Sequence, residues 1–317
     1  DVEIPSGVTE IGEYAFYKDL TLRNKLKEDG FEITSIKIPS TVVTINEGAF
    51  TYANVGSVAF GSSLRTIKNH AFYSAELNGI TFANGVEVIE EGAFTYCHNI
   101  KNIILPSSLK VIGEDAFALT DVTSLKLNEG LESIGNEAFR NTNISGVVKL
   151  PTTLKELGSN VFWPGMIKTN YVEDFDLTGN PFLVSENGLV MDKDKTKVIT
   201  YASGYKVDGT NYQTSIRVPE TVKTIGVSAL SYAPYLTEII LPSGLTRIED
   251  QAFESTGNLK ELVIPMSVQF VGYRAFNGWK IGSRLTFECS ATYAAMHFDP
   301  EYLNGVSSKT TVVTYNG

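Results

Sequence analysis

Two residues, Ala followed by Phe, return along the chain at a nearly constant interval. They stand at Ala15-Phe16, Ala49-Phe50, Ala71-Phe72, Ala93-Phe94, Ala116-Phe117, Ala138-Phe139, Ala252-Phe253 and Ala275-Phe276. Val161-Phe162 and Ala229-Leu230 keep the same phase. The intervals are 34, 22, 22, 23, 22, 23, 68, 23 and 23 residues, so the period is 22–23. A unit this short cannot bury an apolar face alone and must stack on its neighbours. The chain of 317 residues is therefore expected to be a solenoid, not a set of globular domains. The interval of 34 reads as one period plus an insertion, and 68 as close to three periods holding two irregular coils.

One unit is clearest over 236–256, LTEIILPSGLTRIEDQAFEST. Ile239 and Leu241 lie two apart and share a face, which is strand periodicity. Pro242 ends the strand, because proline cannot donate to a ladder. The same shape precedes Pro39, Pro106 and Pro265. A second short segment follows, such as 245–248, then a turn and the Ala-Phe, read here as a short helical or 3₁₀ corner. One strand per coil gives a parallel sheet with neighbours about 4.8 Å apart. The Phe residues should stack into an internal spine, with each Ala leaving room for the next ring.

The repeated pattern I/L-P-x-x-V/L-x-x-I-G-x-x-A-F resembles the BspA-like class of leucine-rich repeats, from Val2 to about Cys289. The resemblance implies a β-rich leucine-rich-repeat solenoid of bacterial origin, exported or attached to the cell surface. It implies a non-enzymatic scaffold for adhesion, with host extracellular or other bacterial surface proteins as partners. The middle of the chain fits the same class. Residues 182–191 read as strand, Asn187-Gly188 turn and strand, with a third strand over 197–201, and such a β-hairpin excursion is typical of these proteins. The expected organisation is a solenoid over 1–290, interrupted at 18–31 and 174–214, followed by a C-terminal cap over 291–317 that is helical at first and then a strand. The chain starts in mid-repeat, so the native protein is expected to extend before Asp1.

Composition narrows the chemistry. A net charge of −10 argues against nucleic acid or an anionic membrane as partner. No apolar run approaches the roughly 18 residues of a membrane span. Cys97 and Cys289 form no CxxC and no metal spacing. No phosphate loop, dinucleotide fingerprint or zinc-protease motif occurs, and no cofactor or metal is expected. Phase-equivalents within the chain test the remaining candidates. His70 shares its position with Tyr14, Gly48, Asp115, Glu137 and Arg274, which reads as exposed and unconstrained. His98 reads the same way. Cys97 shares its position with Ala53, Ala75, Thr120 and Thr142, so it reads as a small packing residue. Asp192 to Thr196 begins like a calcium loop, but Lys197 replaces the required Gly and Ser203 the required Glu, which leaves a charged hairpin turn.

Binding, if present, should use the outward residues of the strands. Alternation places Lys37, Thr81, Ile104, Lys126, Arg217, Ile240 and Val263 there, with Glu238 and Glu261 two residues earlier in their strands. Ile240 and Val263 flanked by glutamates resemble a protein-binding patch, an apolar centre with a polar rim. The 174–214 excursion is the other candidate. The leading expectation is a monomeric, secreted or surface-exposed protein-binding scaffold. A structural spacer in a larger surface protein is the alternative. A carbohydrate-binding module is third, because the outward ladder carries no Trp, Tyr or Phe.

Overall fold

A computed structural model describes residues 2–19, 21, 25, 35–165, 171–280, 282–306 and 311–316. The expected insertion at 18–31 falls almost wholly outside the described residues. The chain forms two compact units. The first is Asp1–Ser145 with Lys149–Asn170 and Thr178–Asn180, and the second is Gly146–Val148 with Tyr171–Leu177 and Pro181–Gly317.

In the first unit the coil at 35–53 shows the construction. Strand Ser35–Lys37 buries Ile36 and exposes Lys37, and Ile38 turns inward again. Pro39 ends the strand, and a bond from Val42 N to Pro39 O (3.1 Å) folds the chain back so that Val42 enters the core. A second strand, only Thr44–Ile45, then buries Ile45. Each full coil therefore carries two strands, where one was expected. The two-residue strands form a seven-stranded parallel sheet from Glu10–Ile11 to Glu156–Leu157. Its register places Ile11, Ile45, Ile67, Ile89, Ile112, Ile134 and Leu157 in one inward file.

The phenylalanines stack as their phase predicts. Phe16, Phe50, Phe72, Phe94, Phe117, Phe139 and Phe162 follow one another with ring centroids 4.8, 4.8, 5.1, 5.2, 5.4 and 5.6 Å apart. Their planes lie within 4–6° of parallel. Ala49, Ala71, Ala93, Ala116 and Ala138 beside them are fully buried, so a larger side chain there has no space.

The corner that carries each Ala-Phe is not the helical or 3₁₀ turn expected. Alternate residues divide their hydrogen bonds. Ala49, Thr51 and Ala53 donate backward within the coil, to Asn46, Gly48 and Phe50. Gly48, Phe50 and Tyr52 donate to the next coil, at Asn69 (3.1 Å), Ala71 (2.7 Å) and Tyr73 (2.9 Å). This alternation needs left-handed backbone at two points, Gly48 (φ 60) and Tyr52 (φ 59). Positive φ at the third residue of a turn prevents the turn from propagating as a helix. The same position holds Tyr14, His70, Asp115, Glu137, Asn160, Ser228, Gln251 and Arg274, all with φ between 50 and 56. The mixed composition that reads as lack of constraint hides a fixed backbone. His70 is accordingly half-buried rather than exposed.

In the second unit the hairpin follows the strand Val172–Asp176. Strands Leu183–Glu186 and Leu189–Asp192 pair antiparallel across Asn187 (φ 51) and Gly188 (φ 77), the two positive angles that the tightest hairpin turn requires. Lys197–Tyr201 pairs antiparallel with the second of these and parallel with Thr224–Ile225, aligning Val198 with Ile225. The excursion thus feeds the sheet of short strands that continues through Arg247–Ile248 and Phe270–Val271. The long strands form a five-stranded parallel sheet, Ser215–Arg217, Glu238–Ile240, Glu261–Ile264, Ser283–Phe287 and Thr311–Tyr315. Between the last two lies a helix, Ala291–His297, whose N-cap Ser290 accepts from Tyr293 N (3.1 Å).

Burial pushes the phenols of Tyr201 and Tyr302 well above their ordinary range, and Tyr302 also shares a 2.7 Å hydroxyl contact with Tyr315. Tyr235 rises to about 12 by desolvation and its neighbour Tyr212. A phenol whose pKa is raised by folding contributes stability below its unfolded pKa of about 10 and loses it as pH climbs toward the folded value. The second unit should therefore weaken from about pH 10 upward. A phenolate absorbance titration should show a class of tyrosines that ionises only with loss of near-ultraviolet dichroism. Ionisation of all tyrosines in one step near pH 10, with the fold intact, would contradict this.

Candidate binding face

Strand alternation places all nine candidate residues on outward positions, but the structure brings only some of them together. In the first unit Lys37 is in register with Ala59, and Ala59 with Thr81. Ile104 pairs with Lys126. Ile104 is 83% exposed, a single aliphatic between polar rungs, and single exposed aliphatics are ordinary. In the second unit Arg217 is in register with Ile240, and Glu238 with Glu261. Glu238, Ile240, Glu261 and Val263 line one groove of about 590 Å³, together with Thr237, Ser243, Lys260, Pro265 and Glu288.

The groove exists because of how neighbouring strands end. Pro242 and Pro265 close their strands, and Glu288 occupies the equivalent place after Phe287. Its carboxylate accepts from Met266 N at 3.3 Å. The replacement of Pro by Glu is the sequence signal for this wall, and strand alternation alone does not reveal it. Ile240 is half-buried and Val263 is 41% exposed, so the floor is apolar and reachable. The Ser215 hydroxyl donates to Glu238 at 2.5 Å. Thr286, in register with Val263 on the next strand, is buried, with the Thr314 hydroxyl 3.0 Å from its own.

The candidates for chemistry are engaged in packing. Cys97 is fully buried and its thiol donates to Phe72 O at 3.1 Å. Thr120 and Thr142 satisfy the carbonyls of Phe117 and Phe139 from the same position, each at 2.8 Å. In the second unit Thr256 bonds Phe253 O from this slot, and from the same slot one coil later Trp279 donates its indole N–H to that carbonyl at 2.9 Å. Asp192 spends its carboxylate on Thr196 and on Lys197 N within its own turn, which is the hairpin-turn role. His98 is exposed and rests against Tyr96. His297 lies 3.0 Å from Tyr293 O on the helix.

One aromatic feature lies outside the strands. Tyr14, Tyr17, Tyr52, Tyr73 and Tyr96 form an edge-to-face file along the corners of the first unit, with centroids 5.5–6.2 Å apart. Its signal is a Tyr one or two residues after Phe in four coils, Phe16-Tyr17, Phe50-Thr51-Tyr52, Phe72-Tyr73 and Phe94-Thr95-Tyr96. A search restricted to the strands does not see it.

Coils with an inward aliphatic file, a phenylalanine spine and outward positions free to vary define a leucine-rich-repeat solenoid scaffold. The chain belongs to the BspA type leucine-rich repeat family, whose repeat region matches it in six copies over residues 1–28, 23–145, 110–173 and 196–293. Among solved structures, the pneumococcal vaccine antigen PcpA is similar at 25% identity, over 99% of this chain and 75% of that one, with a TM-score of 0.62. A leucine rich cell surface protein from Faecalibacterium prausnitzii is 16% identical, over 99% of this chain and 87% of that one, with a TM-score of 0.68, and shows the shared fold. A comparison with curated proteins returns no match. Among the described residues, no helix is long and apolar enough to cross a membrane.

Proposed function

We propose that the chain is a surface-exposed bacterial scaffold that binds protein partners through the outward sheet face of its second unit. The apolar floor of Ile240 and Val263 inside a polar-rimmed groove carries this reading. An accessible aliphatic centre ringed by charge is the anatomy of a protein-binding patch. Membership of the BspA type family supports it, as does the likeness to a pneumococcal vaccine antigen and to a protein described as cell-surface.

The test uses the purified chain against immobilised extracellular-matrix and bacterial surface proteins. The paired substitution Ile240→Asp and Val263→Asp should weaken binding by about tenfold or more, as loss of a central apolar anchor does. Val263 is exposed and Ile240 half-buried, so the double variant should remain folded with a lowered thermal midpoint, and its binding is compared at a temperature where circular dichroism shows it native. A folded chain that binds none of these proteins, or a double variant that binds as well as the parent, would count against this face.

A further inference from the structure

We infer that the groove recognises an extended partner segment carrying one basic and one large apolar side chain two residues apart. The inference rests on the reading of this groove as a binding face and adds the chemistry of what enters it.

The argument begins with two carboxylates. Glu238 and Glu261 are direct neighbours in a parallel ladder, where strands lie about 4.8 Å apart. Like charges placed side by side on a sheet cost stability. Yet among the described residues neither forms an ion pair, and Glu238 takes only the Ser215 hydroxyl. Arg284 is in register with Glu261 on the far side, and Lys260 lines the groove, but neither closes on a carboxylate. Arg217 flanks Ile240 on the opposite edge. The groove lining thus carries three carboxylates, Glu238, Glu261 and Glu288, against the single cation of Lys260, a place suited to one incoming ammonium or guanidinium group. A charge-assisted bond to two carboxylates would relieve the repulsion that the free protein sustains.

The spacing supplies the second part. In each strand the glutamate and the aliphatic are two residues apart and share a face, Glu238 with Ile240 and Glu261 with Val263. An extended partner has the same period, with side chains i and i+2 on one side at roughly 6.6 Å. Laid along the strands, it would place a basic residue over the carboxylate row while its i+2 neighbour meets the aliphatic row. An acidic residue in that place would face Glu238 and Glu261 and be rejected.

Short fluorescent peptides test this by anisotropy with the full chain. The set comprises a Lys-x-Leu peptide, a Glu-x-Leu peptide and one in which Lys is moved next to Leu. The first should bind, and the other two should bind about tenfold or more weakly. Glu238→Gln with Glu261→Gln should cost the Lys-x-Leu peptide a similar factor and remove most of its salt dependence. Equal binding of the acidic peptide, or indifference to the paired Gln variant, would overturn the inference. If Ile240→Asp with Val263→Asp abolishes protein binding while the Gln pair does not, the binding face stands and the cationic partner falls. If neither pair changes protein binding, both readings fall.

Discussion

Phe94→Ala is expected to destabilise the first unit by about 3–5 kcal/mol, read as a lowered urea midpoint. Phe94 is fully buried, with Phe72 stacked at 5.1 Å on one side and Phe117 at 5.2 Å on the other. Phe82 also meets it edge-on at 5.8 Å. Removing the ring deletes its own transfer energy and leaves a cavity between two rings that cannot close over it. The stack is held at its spacing by backbone bonds from Phe72 N to Ala93 O and from Phe94 N to Ala116 O, so relaxation is small. Tyr96→Ala, two residues away and 39% exposed, provides the contrast and should cost much less. A loss below about 1 kcal/mol for Phe94→Ala would mean that the spine is not the principal core of the unit.

The second large effect falls on a glycine. Gly135→Ala should cost about 1–3 kcal/mol, because the added methyl would press on the backbone of the preceding coil. A Cβ at that position would lie 2.5 Å from Glu114 N and 2.6 Å from Gly113 C. Neither atom belongs to a flexible side chain. Gly158 is held in the same way, with Asn136 N at 2.4 Å. Replacement of Gly by Ala ordinarily stabilises by about 0.4–1 kcal/mol through the unfolded chain, so the sign of the result separates the two effects. Gly79, on a strand with coils on both sides, has nothing within 4 Å, and Gly79→Ala should be neutral or slightly stabilising. Equal outcomes at Gly79 and Gly135 would remove the case for close coil contact at Gly135.

These sites also mark what the sequence discloses. Phe94 and its equivalents announce themselves by phase, since only a stacked coil explains a fixed aromatic interval. Pro39, Pro106, Pro242 and Pro265 mark strand ends for a reason intrinsic to proline. Asn187-Gly188 marks the hairpin through its tolerance of positive φ. The corner was hidden because the sign of φ is imposed by bonds to the next coil. Gly48 and Gly92 hint at it, but Tyr14, His70, Glu137 and Arg274 adopt the same angle against their preference. The outward positions were legible from alternation, whereas the groove was not. Its lining joins Ile240, Val263 with the adjoining Lys260, and Glu288 from three successive coils, a relation that no single repeat contains.

The divided corner bonds have a consequence for how such a chain changes length. Phe50 N to Ala71 O, Phe72 N to Ala93 O and Phe94 N to Ala116 O are main-chain bonds, indifferent to which side chains the coils carry. A duplicated coil would present the same donors on one side and the same acceptors on the other. Copying or deleting one repeat would therefore leave the junctions on either side chemically unchanged. Reach becomes a quantity that recombination within a gene can adjust in single-coil steps, while point changes at outward positions alter what is held.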